Sequence, residues 1–353
     1  MTAIPNTPES HGRVSHDLPG LDLARLSGWF VKSVPGAYGQ LSAQLLAGGK
    51  SNHTYEVSDG ASTWIIRRPP LGHVPAKAHD MEREYRMMSA GQVTDVPVPR
   101  TYAFCRDEGV VGAPFYVMQR LAGTPYRTAA ELKSARPERT RMIAVGLVDT
   151  LATLHDVNPA AVGLADFGRP EGFLARQVDL WKKQLDASHS RNLPVAAELH
   201  ARLAAEVPKQ SAPGIVHGDY RLENVLTDDH DRPAAVIDWE MATVGDPLTD
   251  LALLVVNQRL GVLRGRAMAT DPMAAAGFLT EEEIIDRYLG RSDRNLTHFG
   301  FYLGLAAFKL AAVLEGIHYR YINGKTVGPG FERVGENVPA LLDAGLRSVK
   351  GHY

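Results

Sequence analysis

Apolar positions along the chain change their period near residue 129. After an amphipathic stretch at 21–34, with Leu23, Leu26, Trp29, Phe30 and Val34 at helical spacing and Pro35-Gly36 closing it, the pattern shortens. Residues 41–57 read as strand, glycine turn, strand, and 62–68 as a third strand stopped by Pro69-Pro70. A helix over 79–90 buries Met81, Tyr85 and Met88, and Val96-Pro-Val-Pro99 is extended. Strands at 100–104 and 115–118 follow, across a turn holding Asp107, Glu108 and Gly109. From Ala129 the spacing predicts helices over 137–156, 172–188, 195–207, 281–289, 296–321 and 331–348. The most apolar segment, 299–317, is interrupted by Lys309 and Glu315 and reads as a buried helix rather than a membrane span.

A chain of 353 residues exceeds what one core of roughly 250–300 residues usually holds, so two lobes are expected. The pattern places a flexible arm and a helix in 1–40, a strand-rich lobe in 41–121 and a helical lobe in 122–353. A net charge of −2 with a pI of about 6.7 offers no general attraction to nucleic acid or to an anionic membrane, and neither is expected as a partner. Cys105 is the single cysteine, and the first twenty residues lack the apolar core of a signal peptide. Both point to a cytoplasmic protein; the oligomeric state is left open.

The chemistry concentrates in 215–250, IVHGDYRLENVLTDDHDRPAAVIDWEMATVGDPLTD. His217, Asp219, Asn224 and Asp238 fall on a strand end, a tight loop and the end of a second strand after a hairpin. That arrangement lets oxygen-bearing side chains converge. It suits metal-assisted phosphoryl transfer, in which the protein aligns the acceptor hydroxyl, takes its proton and lets Mg²⁺ neutralise phosphate charge. Asp219 fits the base. Asn224, five residues on, and Asp238, fourteen beyond, supply the hard oxygen ligands Mg²⁺ prefers. In the 41–57 hairpin, Gly48, Gly49, Ser51 and Asn52 would let backbone amides approach nucleotide phosphates. No zinc-type Cys/His cluster, GxSxG elbow or Walker motif is present, since Gln44 stands where Gly49-Lys50-Ser51 would need its first glycine.

H-G-D-x-x-x-x-N followed by I-D-W-E and G-D-P-L-T-D resembles the aminoglycoside phosphotransferase family, small-molecule kinases on the protein-kinase fold. The resemblance spans roughly 41–346. It implies an α+β, two-lobed, protein-kinase-like fold with a small antiparallel-sheet N-lobe, a mostly helical C-lobe, and ATP and Mg²⁺ between them. It further implies that a strand residue binds phosphates and pairs with a helix glutamate. Here Arg67 stands where the family has lysine, with Arg68 beside it. Glu84 aligns with the glutamate, while Glu82 lies about 200° away round the helix and only one can face Arg67. Main chain of Gln119 to Leu121 would bind adenine, with Met118 packed beside it. Asp250 either braces the catalytic loop or, like Asp246, caps the following helix. His155 reads as a helix-end or core group, and Glu240 replaces the glycine of D-F-G, which argues against a protein kinase switched by that loop.

For the acceptor, a small-molecule hydroxyl is expected. Residues 250–353 hold 12 Lys and Arg against 11 Asp and Glu, a poor match to a polycationic drug. HGDYRLENVL and HYRYINGKTVGPGFERVGENVPALLDAGL are similar to the branch of the family fused or paired with acyl-CoA dehydrogenases, which implies a hydroxyacyl-CoA thioester. Antibiotic phosphorylation and a nucleotide-binding pseudokinase stay open as rivals.

Overall fold

The computed structural model describes residues 18–46, 52–72, 79–133, 136–188, 190–265, 272–326 and 330–351. The expected arm at 1–17 and the turn residues Gly48, Gly49 and Ser51 lie outside them. Two compact units emerge, one of residues up to 89 with 99–120, the other of 90–98 with the rest of the chain from 121.

In the first unit, helix α1 (Leu23–Ser33) begins where the Asp22 carboxylate accepts the N–H groups of Ala24 and Arg25, which would otherwise lack helical partners. Then follow β1 (Ser42–Leu45), β2 (His53–Ser58), β3 (Thr63–Arg68), α2 (Met81–Gly91), β4 (Thr101–Cys105), α3 (Glu108–Val111) and β5 (Phe115–Gln119). All five strands pair antiparallel in the order β1-β2-β3-β5-β4. One sheet face is covered by α1, whose Phe30 meets Trp64 edge-on at 5.2 Å and whose Trp29 meets Phe115 at 4.8 Å. The turn expected around Asp107 is instead a short helix. Asp107 caps it through the Gly109 N–H, Gly112 ends it left-handed, and Val110 and Val111 are buried in the same core, a tertiary reward invisible in four residues of sequence.

The second unit runs β6 (Thr124–Pro125), α4 (Ala129–Lys133), α5 (Pro137–Asp156), α6 (Phe173–Ala187), α7 (Pro194–Ala205), β7 (Gly214–Val216), β8 (Val225–Thr227), β9 (Pro233–Val236), β10 (Thr243–Gly245), α8 (Leu248–Gly265), α9 (Glu281–Leu289), α10 (Phe299–Ile322) and α11 (Val338–Val349). Sheets are small here: β7 pairs with β10, and β8 lies between β6 and β9. The last helix starts seven residues later than its periodicity predicts, because residues 334–337 form a 3₁₀ turn and Pro339 marks the first turn of α11. Apolar α10 is the axis of this unit, packing against α6, α7, α8 and α11. Its apolar window is 78% buried inside the protein, although its length and composition alone would let it cross a membrane. Both charges that interrupt it are answered: Glu315 takes Arg191 at 2.7 Å and Ser190, while Lys309 donates to the Gly218 carbonyl.

Candidate active site

The loop leaving β7 is held mainly by side chains from other elements. His217 and Gly218 donate their N–H groups to the two oxygens of Asp250, at 2.6 and 2.9 Å, and Asp250 is only 1% exposed in the first turn of α8. The Asp219 N–H donates to His217 Nδ1 at 3.2 Å, so the ring proton resides on Nε2, which donates to the Ile237 carbonyl at 3.0 Å. His217 lies against Trp239, ring centres 4.6 Å apart. Asp219 itself is left partly open, its Oδ2 accepting from Asn224 Nδ2 at 3.1 Å with Arg221 Nε at 3.8 Å.

Asp250 and Asp246 divide the roles the sequence left open. Asp250 braces the loop; Asp246 caps α8 through the Leu248 N–H at 3.2 Å and gathers Ser211 and Tyr302. Behind Asp250 sits fully buried His155, its Nδ1 2.8 Å from the Tyr288 hydroxyl and its Nε2 3.7 Å from Asp250, too long for a full hydrogen bond but close enough for charge to matter. Burial pushes the His155 imidazole below its ordinary pKa. For Asp250, burial acts upward but is outweighed by His155, His217 and the Gly218 N–H, so its carboxyl ends below the usual range.

Asp238 follows β9 by two residues and adopts φ 66°, ψ 60°. Few side chains tolerate that left-handed conformation, and aspartate is among them. The Ile237 N–H donates to the Asn224 carbonyl at 2.9 Å, which ties the two proposed oxygen donors into one local framework. Asn224 spends its amide nitrogen on Asp219, leaving the amide oxygen as its donor to a cation. Among the described residues no three His, Cys, Asp or Glu side chains form a ready metal cage. Two hard oxygens are nevertheless the donor set that suits Mg²⁺, an ion that keeps waters and shares phosphate oxygens.

In the first unit, Arg67 on β3 reaches Glu84 of α2 at 3.1 Å, and Glu84 is 1% exposed. That carboxylate also accepts from Asn52 Nδ2 at 3.1 Å and the Tyr116 hydroxyl at 2.8 Å, while Asn52 Oδ1 lies 2.7 Å from His79 Nδ1. Of the two candidate glutamates, Glu84, the one the resemblance aligns, meets Arg67, and Glu82 meets the exposed Arg106. Arg68 points the other way, donating to the carbonyls of Gly20 and Val111 at 2.5 and 2.8 Å. Met118 is buried in β5 opposite Ile65. The Gln119 N–H is taken by the Arg100 carbonyl at 2.7 Å, so that amide is spent in the sheet. Sequence reasoning missed His79, Tyr116, Arg221 and Lys309. Only Lys309 left a trace, as a cation interrupting an apolar run.

A five-stranded antiparallel sheet with a buried arginine–glutamate pair, and a helical unit presenting H-G-D-x-x-x-x-N, define a phosphotransferase of the kinase-like type. The model of the phosphotransferase enzyme family (APH) matches residues 42–286, and the chain belongs to that family. Acyl-CoA dehydrogenase family member 11 of Mus musculus is 32% identical over 343 residues, 93% of this chain but 43% of the relative. The chain thus spans less than half the length of such acyl-CoA dehydrogenase relatives. A solved structure from Ralstonia eutropha JMP134, assigned to the aminoglycoside phosphotransferases, is 31% identical with a TM-score of 0.82, covering 94% of this chain and 98% of its own. A thermostable mutant of aminoglycoside phosphotransferase APH(4)-Ia, in ternary complex with AMP-PNP and hygromycin B, shares the fold at 15% identity and a TM-score of 0.56, covering 92% and 99%. The chain therefore carries the α+β kinase-like fold of the phosphotransferase enzyme family.

Proposed function

We propose that this chain transfers the γ-phosphate of ATP to a hydroxyl of a hydroxyacyl-CoA thioester. The observation that supports phosphoryl transfer most directly is the partly open Asp219 carboxylate on a loop whose main chain is gripped by Asp250 and His217. Asp219 aligns the acceptor hydroxyl and takes its proton as the oxygen attacks phosphorus; the phosphoryl group leaves ADP and ends on the acceptor oxygen. Asn224 and Asp238 would hold Mg²⁺, which supplies charge neutralisation on the phosphates. Arg67, oriented by Glu84, is suited to bidentate phosphate contact, so the missing strand lysine does not by itself argue for an inert nucleotide-binding module. The thioester reading draws on the acyl-CoA dehydrogenase relatives and on the near balance of acids and bases in 250–353. We place the activity in the cytoplasm, in keeping with buried Cys105 as the single thiol.

The test is a side-by-side kinase assay with a short 4-hydroxyacyl-CoA and a kanamycin-like aminoglycoside, in parent and Asp219→Asn protein. Phosphorylation of the thioester, lost by about 10²–10⁴ in the variant, is the expected result. Efficient turnover of the drug with none of the thioester would overturn the acceptor, and parent-like turnover in Asp219→Asn would remove Asp219 from the mechanism.

A further inference from the structure

A lysine inside an apolar helix is expensive to desolvate unless something compensates it, and structural compensation usually comes from a carboxylate. Lys309 departs from that pattern. Its ammonium donates to the main-chain carbonyl of Gly218 and lies 5.1 Å above the centre of the Trp181 ring. The carbonyl it holds belongs to the peptide between Gly218 and Asp219. On the opposite edge of that same peptide, the Asp219 N–H is held by His217 Nδ1 at 3.2 Å.

We propose that Lys309 is a positioning residue for phosphoryl transfer, fixing the peptide plane from which the Asp219 side chain springs. A peptide unit is rigid, so gripping its oxygen and its N–H together removes the one soft motion left to it, rocking about the flanking Cα atoms. The plane before it is fixed as well, since the Gly218 N–H is bound to Asp250. Gly218 has φ +86°, and a side chain there would meet the Met241 carbonyl at 2.7 Å, so the loop runs close against Met241 at this point. Without the Lys309 ammonium the Gly218 carbonyl loses this partner, the peptide plane can rock again, and Asp219 would turn with it. Burial draws the Lys309 ammonium below its ordinary pKa while Asp250 and Asp219 draw it back toward the charged form, consistent with a cation kept beside the loop.

This rests on Asp219 as the base, so the experiment separates the two ideas. ADP release from MgATP is measured with and without a short 4-hydroxyacyl-CoA in the parent, Lys309→Met, Asp219→Asn and the double variant, with thermal unfolding of each. A misplacement on the order of 1 Å lowers turnover by about 10²-fold, so Lys309→Met is expected to lose roughly 10–100-fold in kcat with the KM for ATP within about threefold. Because Lys309 acts through Asp219, the same change in the Asp219→Asn background is expected to lose less than about threefold. Parent-like kcat in Lys309→Met, or an equal loss in both backgrounds, overturns the proposal while leaving Asp219 in place. An inactive parent, or parent-like turnover in Asp219→Asn, removes the functional reading and this proposal with it. Should Lys309→Met fail to fold, Lys309→Gln takes its place, with the same losses expected and the same parent-like result decisive against it.

Discussion

Two neighbouring arginines show how one residue's step along a strand separates chemistry from stability. Arg67 faces Glu84 and Arg68 reaches the Gly20 and Val111 carbonyls, because successive strand side chains point to opposite faces. Arg67→Ala is expected to raise the KM for ATP at least tenfold, whereas Arg68→Ala leaves it within about twofold and instead lowers stability, by about 1–3 kcal/mol for each buried carbonyl left unpaired. Steady-state kinetics and urea unfolding of both variants check the pair; the reverse order would move phosphate binding to Arg68. Asp238→Ala makes a complementary case. It should abolish the tightening of ATP binding by Mg²⁺ seen in titration calorimetry, and a parent-like response to the metal would put the ion elsewhere.

At the scale of the element, the 217–219 loop is three residues whose shape depends on β7, α8 and α10 together. Gly218→Ala tests that dependence. The left-handed conformation alone costs about 1–2 kcal/mol for a residue with a Cβ, and contact with Met241 at 2.7 and 2.8 Å adds to it. Lower unfolding free energy and a fall in kcat are expected together, and a variant that keeps both would show the loop to be more pliant than its contacts imply. The motif spacing was legible in the sequence, since it is written within a few residues. The choice between capping and bracing for Asp246 and Asp250 was not. Four residues separate them, and what distinguishes them is whether the N–H groups that donate to each carboxylate belong to α8 or to a loop 32 to 33 residues earlier.

For the molecule as a whole, buried titratable groups set how it responds to acid. His155 is held below its ordinary pKa by burial, so below about pH 6.5 the unfolded chain binds a proton that the folded chain refuses, and stability falls. His79, lowered first by burial and then by Arg67, adds in the same direction. Asp250 has a folded pKa below the usual carboxylate value; its contribution is present above that value and is lost as pH falls through the folded pKa. The melting temperature should therefore decline from pH 7 toward pH 4. His155→Asn, which has no imidazole to charge, should flatten the portion between pH 7 and 5. An unchanged slope there would assign the acid sensitivity to other groups.

The sequence by itself determined the division into a strand-rich and a helix-rich region, the order of most elements, and the family, because each is carried by local periodicity or by residues at fixed short spacing. Only the tertiary structure decided that Asp250 rather than Asp246 holds the 217–219 loop, that the Gln119 amide is already spent in the sheet, and that Lys309 reaches a carbonyl 91 residues earlier in the chain. The physical reason is common to all three. A side chain's hydrogen-bond partner is fixed by which helix face or strand edge packing turns toward it, and packing brings together positions whose separation in the chain contains no record of their meeting.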